Sequence, residues 1–67
     1  MNTAKLTAHE IKIVDLLAQG LSHMEIGRLL KCSHKTIGGH VCRAIKKYGC
    51  LNGTHLVAEC LRKGVIK

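Results

Sequence analysis

Two helix-start signals crowd into the first twenty-five residues and narrow the choice of folds more than any other feature. Thr7-Ala8-His9-Glu10 and Ser22-His23-Met24-Glu25 both have the form of a capping box. In that motif the hydroxyl accepts from the N3 amide while the N3 carboxylate accepts from the N-cap amide. Ile11, Val14, Leu17 and Ala18, widened by Ile13 and Leu16, follow the first box at helical spacing; Ile26, Leu29 and Leu30 follow the second. Gly20 stops the first helix, and the second covers about 22–30. Lys31-Cys32 makes a tight turn, Ser33 caps a third helix over about 33–48, and Gly49 ends it. Thr54 is expected to cap a fourth helix reaching about Lys63, closed by Gly64. An all-α domain of four short helices is the fold this pattern predicts.

At 67 residues the chain has room for one domain, and a domain this small buries only ~60% of the surface its unfolded form exposes. A pre-organised catalytic cleft is hard to support on so small a core, whereas a binding module is not. The chain is not expected to be an enzyme: His9, His23, His34 and Glu10 form no catalytic arrangement, and no Gly-rich phosphate loop or carboxylate pair occurs. An apolar fraction of 46% excludes a disordered tail. No apolar run approaches the ~20 residues of a membrane span, and the N-terminus lacks the apolar core of a secretory signal. A cytoplasmic location with no membrane partner is the resulting expectation. Tyr48 is the only aromatic residue, which argues against the base-stacking surfaces used on RNA and single strands.

The net charge of +7 is unevenly placed. Residues 1–30 are balanced, while the acid-free stretch 31–50 holds Lys31, Lys35, Arg43, Lys46 and Lys47. Charge concentrated in one segment is the footprint of a polyanionic partner. A solvated basic face kept for solubility is the plain alternative.

Cys32, Cys42, Cys50 and Cys60 lie about ten residues apart and make none of the short-spaced pairs of a zinc site. Without a secretory signal they are not read as a disulfide framework either. No metal and no cofactor is expected.

On a helical wheel Ile37, Val41, Ala44, Ile45 and Tyr48 occupy one arc of about 100° in the third helix, with Lys35, Gly39, Arg43 and Lys46 opposite. Leu56, Val57, Ala58, Cys60 and Leu61 cover about 200° of the fourth, more than docking one face requires. The surplus points to a second apolar contact, most simply another copy of the chain. A short helix, a tight turn and a second helix with a basic outer face make a helix-turn-helix. An α-helix fits the major groove, where each base pair shows a distinct pattern. The N-terminal amides of the preceding helix are suited to phosphate.

Several runs of residues make the resemblance specific. Leu6-Thr7-x-x-Glu10 is followed by Val14-x-Leu16-Leu17-Ala18-x-Gly20-Leu21-Ser22-x-x-Glu25-Ile26. Leu30-x-Cys32-Ser33-x-x-Thr36-Ile37-x-x-His40 and Gly49-x-x-Asn52-x-Thr54 complete the set. From Leu6 to about Ile66 the chain resembles the LuxR-type, GerE-like DNA-binding domain of bacterial transcription regulators. The resemblance implies a four-helix helix-turn-helix domain unrelated to winged helices. Residues 1–67 are expected to form it alone, with no separate receiver or ligand-binding domain. By the same resemblance the third helix is expected to enter the major groove and the fourth to mediate dimerisation on a two-fold operator. On the matching positions the DNA-binding set is Ser33, Lys35, Thr36, Gly38, Gly39, His40, Cys42, Arg43, Lys46 and Lys47. Leu56, Val57, Cys60 and Leu61 are expected at the dimer interface.

Some positions depart from the family's usual residues. Gly38 stands where members often carry Lys, and Gly39 and Cys42 occupy positions that commonly touch bases. Met24 replaces a usual Lys, and Gly53 a usual Arg. Cys32, Cys50 and Cys60 read as small buried groups, with Cys42 alone exposed. Tyr48 reads as core. His40 reads either as a packed brace or as a phosphate contact. Two functions follow from the whole. One is a homodimeric, sequence-reading regulator of duplex DNA. The other is an interaction protein that pairs with a LuxR-type regulator and inhibits or retargets it. RNA polymerase is the further partner that the resemblance suggests.

Overall fold

The computed structural model describes residues 5–67. Four helices follow in order: α1 (Ala8–Ala18), α2 (His23–Leu30), α3 (His34–Tyr48) and α4 (Gly53–Arg62), with no strand among the described residues. The domain is the all-α helix-turn-helix fold expected from the sequence. Both capping boxes form: Thr7 N donates to Glu10 Oε1 at 2.8 Å and Ser22 N to Glu25 Oε1 at 2.8 Å, each answered by the reciprocal amide-to-hydroxyl bond at 3.1 Å.

The start of α4 differs from expectation. Asn52, not Thr54, is the cap; its Oδ1 accepts from His55 N at 2.9 Å, and Thr54 lies inside the first turn. His55 completes a reciprocal arrangement, its Nδ1 accepting from Leu51 N at 3.0 Å. Extended backbone at Asn52 lets its short amide reach back over the turn.

The α2–α3 turn depends on close backbone approach. Lys31 takes the left-handed conformation with φ 59°, a cost of ~1–2 kcal/mol for a residue with a Cβ. In return Cys32 N reaches Gly27 O at 2.8 Å and satisfies a helix-terminal carbonyl. Gly27 is buried, and a Cβ there would sit 2.5 Å from Cys32 O. Only glycine allows the two helices to meet at this angle.

The core joins Leu6, Ile13, Val14, Ile26, Ile37, Val41, Ala44, Leu56, Cys60 and Ile66. α3 packs against all three other helices, through Ile37, Val41 and Ala44 fully and Ile45 and Tyr48 in part. No helix among the described residues is long and apolar enough to cross a membrane.

Candidate nucleic-acid interface

With one stripe of α3 committed to the core, the opposite stripe is fixed. Lys35, Gly39, Cys42, Arg43 and Lys46 are all exposed along it. Lys35, Arg43 and Lys46 have no ion-pair partner among the described residues. An α-helix rises 1.5 Å per residue, so Lys35 and Lys46 lie about 17 Å apart along one face. Ser33 caps this helix by accepting from Thr36 N at 3.2 Å, and the Ser33 and Thr36 hydroxyls bond each other at 3.0 Å. Thr36, Gly39, His40 and Arg43 line an open depression of about 210 Å³ on the same side.

Two members of the expected set stand elsewhere, and a third is partly engaged within the chain. Lys47 is turned from the outer face toward α1, where its Nζ donates to Glu10 Oε1 at 2.8 Å and to the Lys5 carbonyl at 3.4 Å. The Glu10 side chain is only 4% exposed. Burial works against its ionisation, but the Lys47 ammonium and the Thr7 bonds outweigh that and hold the carboxyl below the usual carboxylate range. Lys47 is therefore a brace between α1 and α3. Gly38 is half-buried on the side of α2, where a Cβ would lie 3.8 Å from His23 Nδ1. His40 lines the depression beside Arg43 but is half-buried, its ring edge-on to His9 with centroids 4.8 Å apart.

α2 also offers phosphate less than its N-terminus suggests. Glu25 sits in its first turn, and its bonds with Ser22 hold the carboxyl low, so a negative charge occupies the same end.

The residues expected between copies divide in two. Leu56 and Cys60 are wholly buried, 0% exposed, in the chain's own core and present no surface to a second copy. The reason is that α4 packs on both α1 and α3, so the chain itself covers the Leu56 and Cys60 side of the wide apolar arc. Val57 is half-buried and Leu61 is 47% exposed. Both keep one helical face with exposed Thr54 and Ala58, beside Leu51 at 87% exposure.

Among the cysteines, Cys42 is exposed, Cys32 and Cys50 half-buried and Cys60 buried. Burial pushes the Cys50 and Cys60 thiols up, which keeps them neutral and poor nucleophiles. Tyr48 is half-buried against the core, with Lys63 Nζ 5.5 Å from its ring centre.

Residues that motif reading missed are Gly27, Asn52 as a cap and the Glu10–Lys47 pair. Only Asn52 carried a local signal, since asparagine is among the preferred N-caps.

Residues 4–60 match the family described as bacterial regulatory proteins, luxR family. The transcriptional activator protein BjaR1 of Bradyrhizobium diazoefficiens is 34% identical over 64 residues, covering 96% of this chain and 26% of BjaR1. The spore germination protein GerE of Bacillus subtilis is 34% identical over 62 residues, covering 92% of this chain and 84% of GerE. The chain thus spans about a quarter of one of these relatives and most of the other. A solved structure of the transcription factor GerE superposes with a TM-score of 0.89 at 34% identity, covering 92% of both chains. The fold and these relatives agree, and the chain belongs to the luxR family as a GerE-type DNA-binding transcription-regulator domain.

Proposed function

We propose that the chain binds duplex DNA as a homodimer, with the outer face of α3 in the major groove. The observation that carries this reading is the row of cations, Lys35, Arg43 and Lys46, unpaired among the described residues, on the face of α3 that the core leaves open. Cations so placed displace counterions from phosphates and give affinity without sequence preference. The strip of half-buried Val57 and exposed Ala58 and Leu61 on α4 supports the contact between copies, since a two-fold operator requires two domains at fixed spacing. An inhibitor that acts by pairing with a full-length regulator has no need of this cationic row.

Binding to a random duplex over a range of salt tests the proposal. Log affinity should fall with log salt at a slope of about −0.9 per phosphate contacted. Alanine at Lys35, Arg43 or Lys46 should each shallow the slope by about one unit. A slope that none of the three changes would place the DNA on another surface.

A further inference from the structure

We infer that His55 is a proton-operated latch on the start of α4: its neutral imidazole ties the helix to the Leu51 amide, and a proton on the ring releases that tie. The effect on pairing between copies rests on the homodimer proposal above; the latch itself does not.

α3 ends at Tyr48 and α4 begins at Gly53, so the turn between them is short. Two reciprocal bonds close it. His55 N donates to Asn52 Oδ1 at 2.9 Å, and Leu51 N donates to His55 Nδ1 at 3.0 Å. In α1 and α2 the second role belongs to a carboxylate oxygen, on Glu10 and Glu25. At α4 a ring nitrogen fills it instead. A backbone amide only donates, so Nδ1 must keep its lone pair and the hydrogen of the neutral ring lies on Nε2. Histidine is the side chain that ordinarily changes charge between pH 5 and 8. Once protonated, both ring nitrogens are donors and no acceptor is left for Leu51. The bond and the imidazolium exclude each other.

The surrounding charges give the released ring a second position. Nε2 lies 3.6 Å from Glu59 Oε2, too far for a hydrogen bond but close enough to attract an imidazolium. Arg62 already holds the same oxygen at 3.1 Å, and the His55 and Arg62 side chains are exposed, so this attraction is weak. Loss of the Leu51 bond therefore decides the direction. Cys50 in the turn and Tyr48 at the end of α3 are pushed up by burial and stay neutral in this range. Lys63, just past α4, lies over the Tyr48 ring at 5.5 Å. His23 of α2 borders a cavity with Gly53 and Thr54. α1 forms no ion pair with His55 among the described residues. Leu51 is 87% exposed and stands at the corner from which the face of Val57, Ala58 and Leu61 starts, so freeing its amide loosens that corner. The unfolded chain takes up the proton without losing a bond, so stability should fall as pH drops through the imidazole range.

The test compares the wild-type chain with His55→Gln, whose carboxamide accepts in a reciprocal cap without ionising. Nitrogen NMR of the wild-type imidazoles at about pH 8 should show His55 with its hydrogen on Nε2. A hydrogen on Nδ1 overturns the latch. Denaturant unfolding at about pH 8 and about pH 5 brackets histidine and stays above the range of the lowered Glu10 carboxyl. Between these, the folding constant of the wild type should fall about fivefold more than that of His55→Gln, the effect of one net hydrogen bond. The other histidines are common to both chains, so the difference isolates His55. Equal falls overturn the latch. Self-association of the wild type, followed by sedimentation, should weaken across the same range while that of His55→Gln holds. Equal behaviour of the two chains overturns the link to pairing. No self-association at either pH overturns the homodimer proposal alone, because the tautomer and the folding constants do not depend on it.

Discussion

Lys47 Nζ and Glu10 Oε1 meet at 2.8 Å, joining the last turn of α3 to the first turn of α1. The same carboxylate oxygen accepts from the Thr7 amide, so one atom closes a helix cap and a tertiary contact together. Neighbouring Lys46 is exposed and unpaired among the described residues. Two adjacent lysines therefore have different roles, and alanine substitutions should separate them. Lys47→Ala removes a charged hydrogen bond to a buried carboxylate and should destabilise by about 2 kcal/mol. In a domain of this size that lowers Tm by on the order of 10 °C. Lys46→Ala should leave Tm within a few degrees and act on DNA affinity alone. Thermal melts of both variants decide the matter. Equal Tm values would show that the bridge contributes nothing.

The same pair sets an acid limit on stability. The folded carboxyl of Glu10 lies below its ordinary 4.5, so the folded state holds this proton less tightly than the unfolded chain. Its stabilisation is complete above the unfolded value and disappears as pH falls through the lowered folded value. Chemical denaturation at pH steps from 7 to 3 should show stability falling across the lower part of that range. Glu10→Gln should flatten the fall. A variant with the same acid slope as wild type would exclude Glu10 as its source.

The caps and turns were legible in the sequence because they are local. Thr7–Glu10 and Ser22–Glu25 are three residues apart, and the hydrogen bonds they predict are the ones that form. Asn52 and Thr54 are both good caps, and propensity alone does not choose between them. His55, bonded to Leu51 N on one side and Asn52 Oδ1 on the other, makes the choice. The Glu10–Lys47 bond spans 37 residues and has no local signature. The apolar arc of α4 takes its width from the sequence. A wheel does not say which part the chain covers itself, and here α1 and α3 together take Leu56 and Cys60.

Two glycines should respond to alanine with opposite signs. At Gly27 the new Cβ would press on the Cys32 carbonyl at 2.5 Å, and the helix-turn-helix angle would have to open. Such overpacking costs about 1–3 kcal/mol. At Gly39 the Cβ meets nothing within 4 Å, and alanine should stabilise α3 by up to about 1 kcal/mol. Denaturant midpoints for the two variants provide the comparison. Gly27→Ala at or above wild-type stability would mean that the turn yields without cost.

For the dimer, the division of α4 into covered and exposed parts predicts two different failures. Leu61 is 47% exposed, so Leu61→Glu should leave the domain folded and weaken self-association. Leu56 is 0% exposed, and a buried unpaired carboxylate in Leu56→Glu should unfold the chain. Sedimentation at several concentrations, paired with circular dichroism, reads both effects. A folded wild-type monomer whose mass never rises with concentration would rule out the homodimer.

The reading face also bounds how selective the domain is. Good bidentate contacts to bases contribute ~1–3 kcal/mol of discrimination each. Along the outer stripe of α3, Gly39 offers no side chain and Cys42 a weak donor, while Lys47 is turned toward α1 and the His40 ring packs edge-on against His9. What remains is Arg43 with Lys35 and Lys46, whose charges suit phosphates irrespective of sequence. The ratio of specific to non-specific affinity should therefore fall below the ~10³–10⁷ typical of specific regulators. Displacement from the best selected duplex by random duplex, at fixed salt, measures this ratio directly. Gly39→Lys sharpens the reading, because a cation there gains a phosphate but removes the close approach of the backbone. It should raise affinity for random duplex and lower the ratio further. A wild-type ratio well inside the typical range, lost in Lys35→Ala or Arg43→Ala, would mean that those two side chains contact bases and that the groove is read by hydrogen bonds after all.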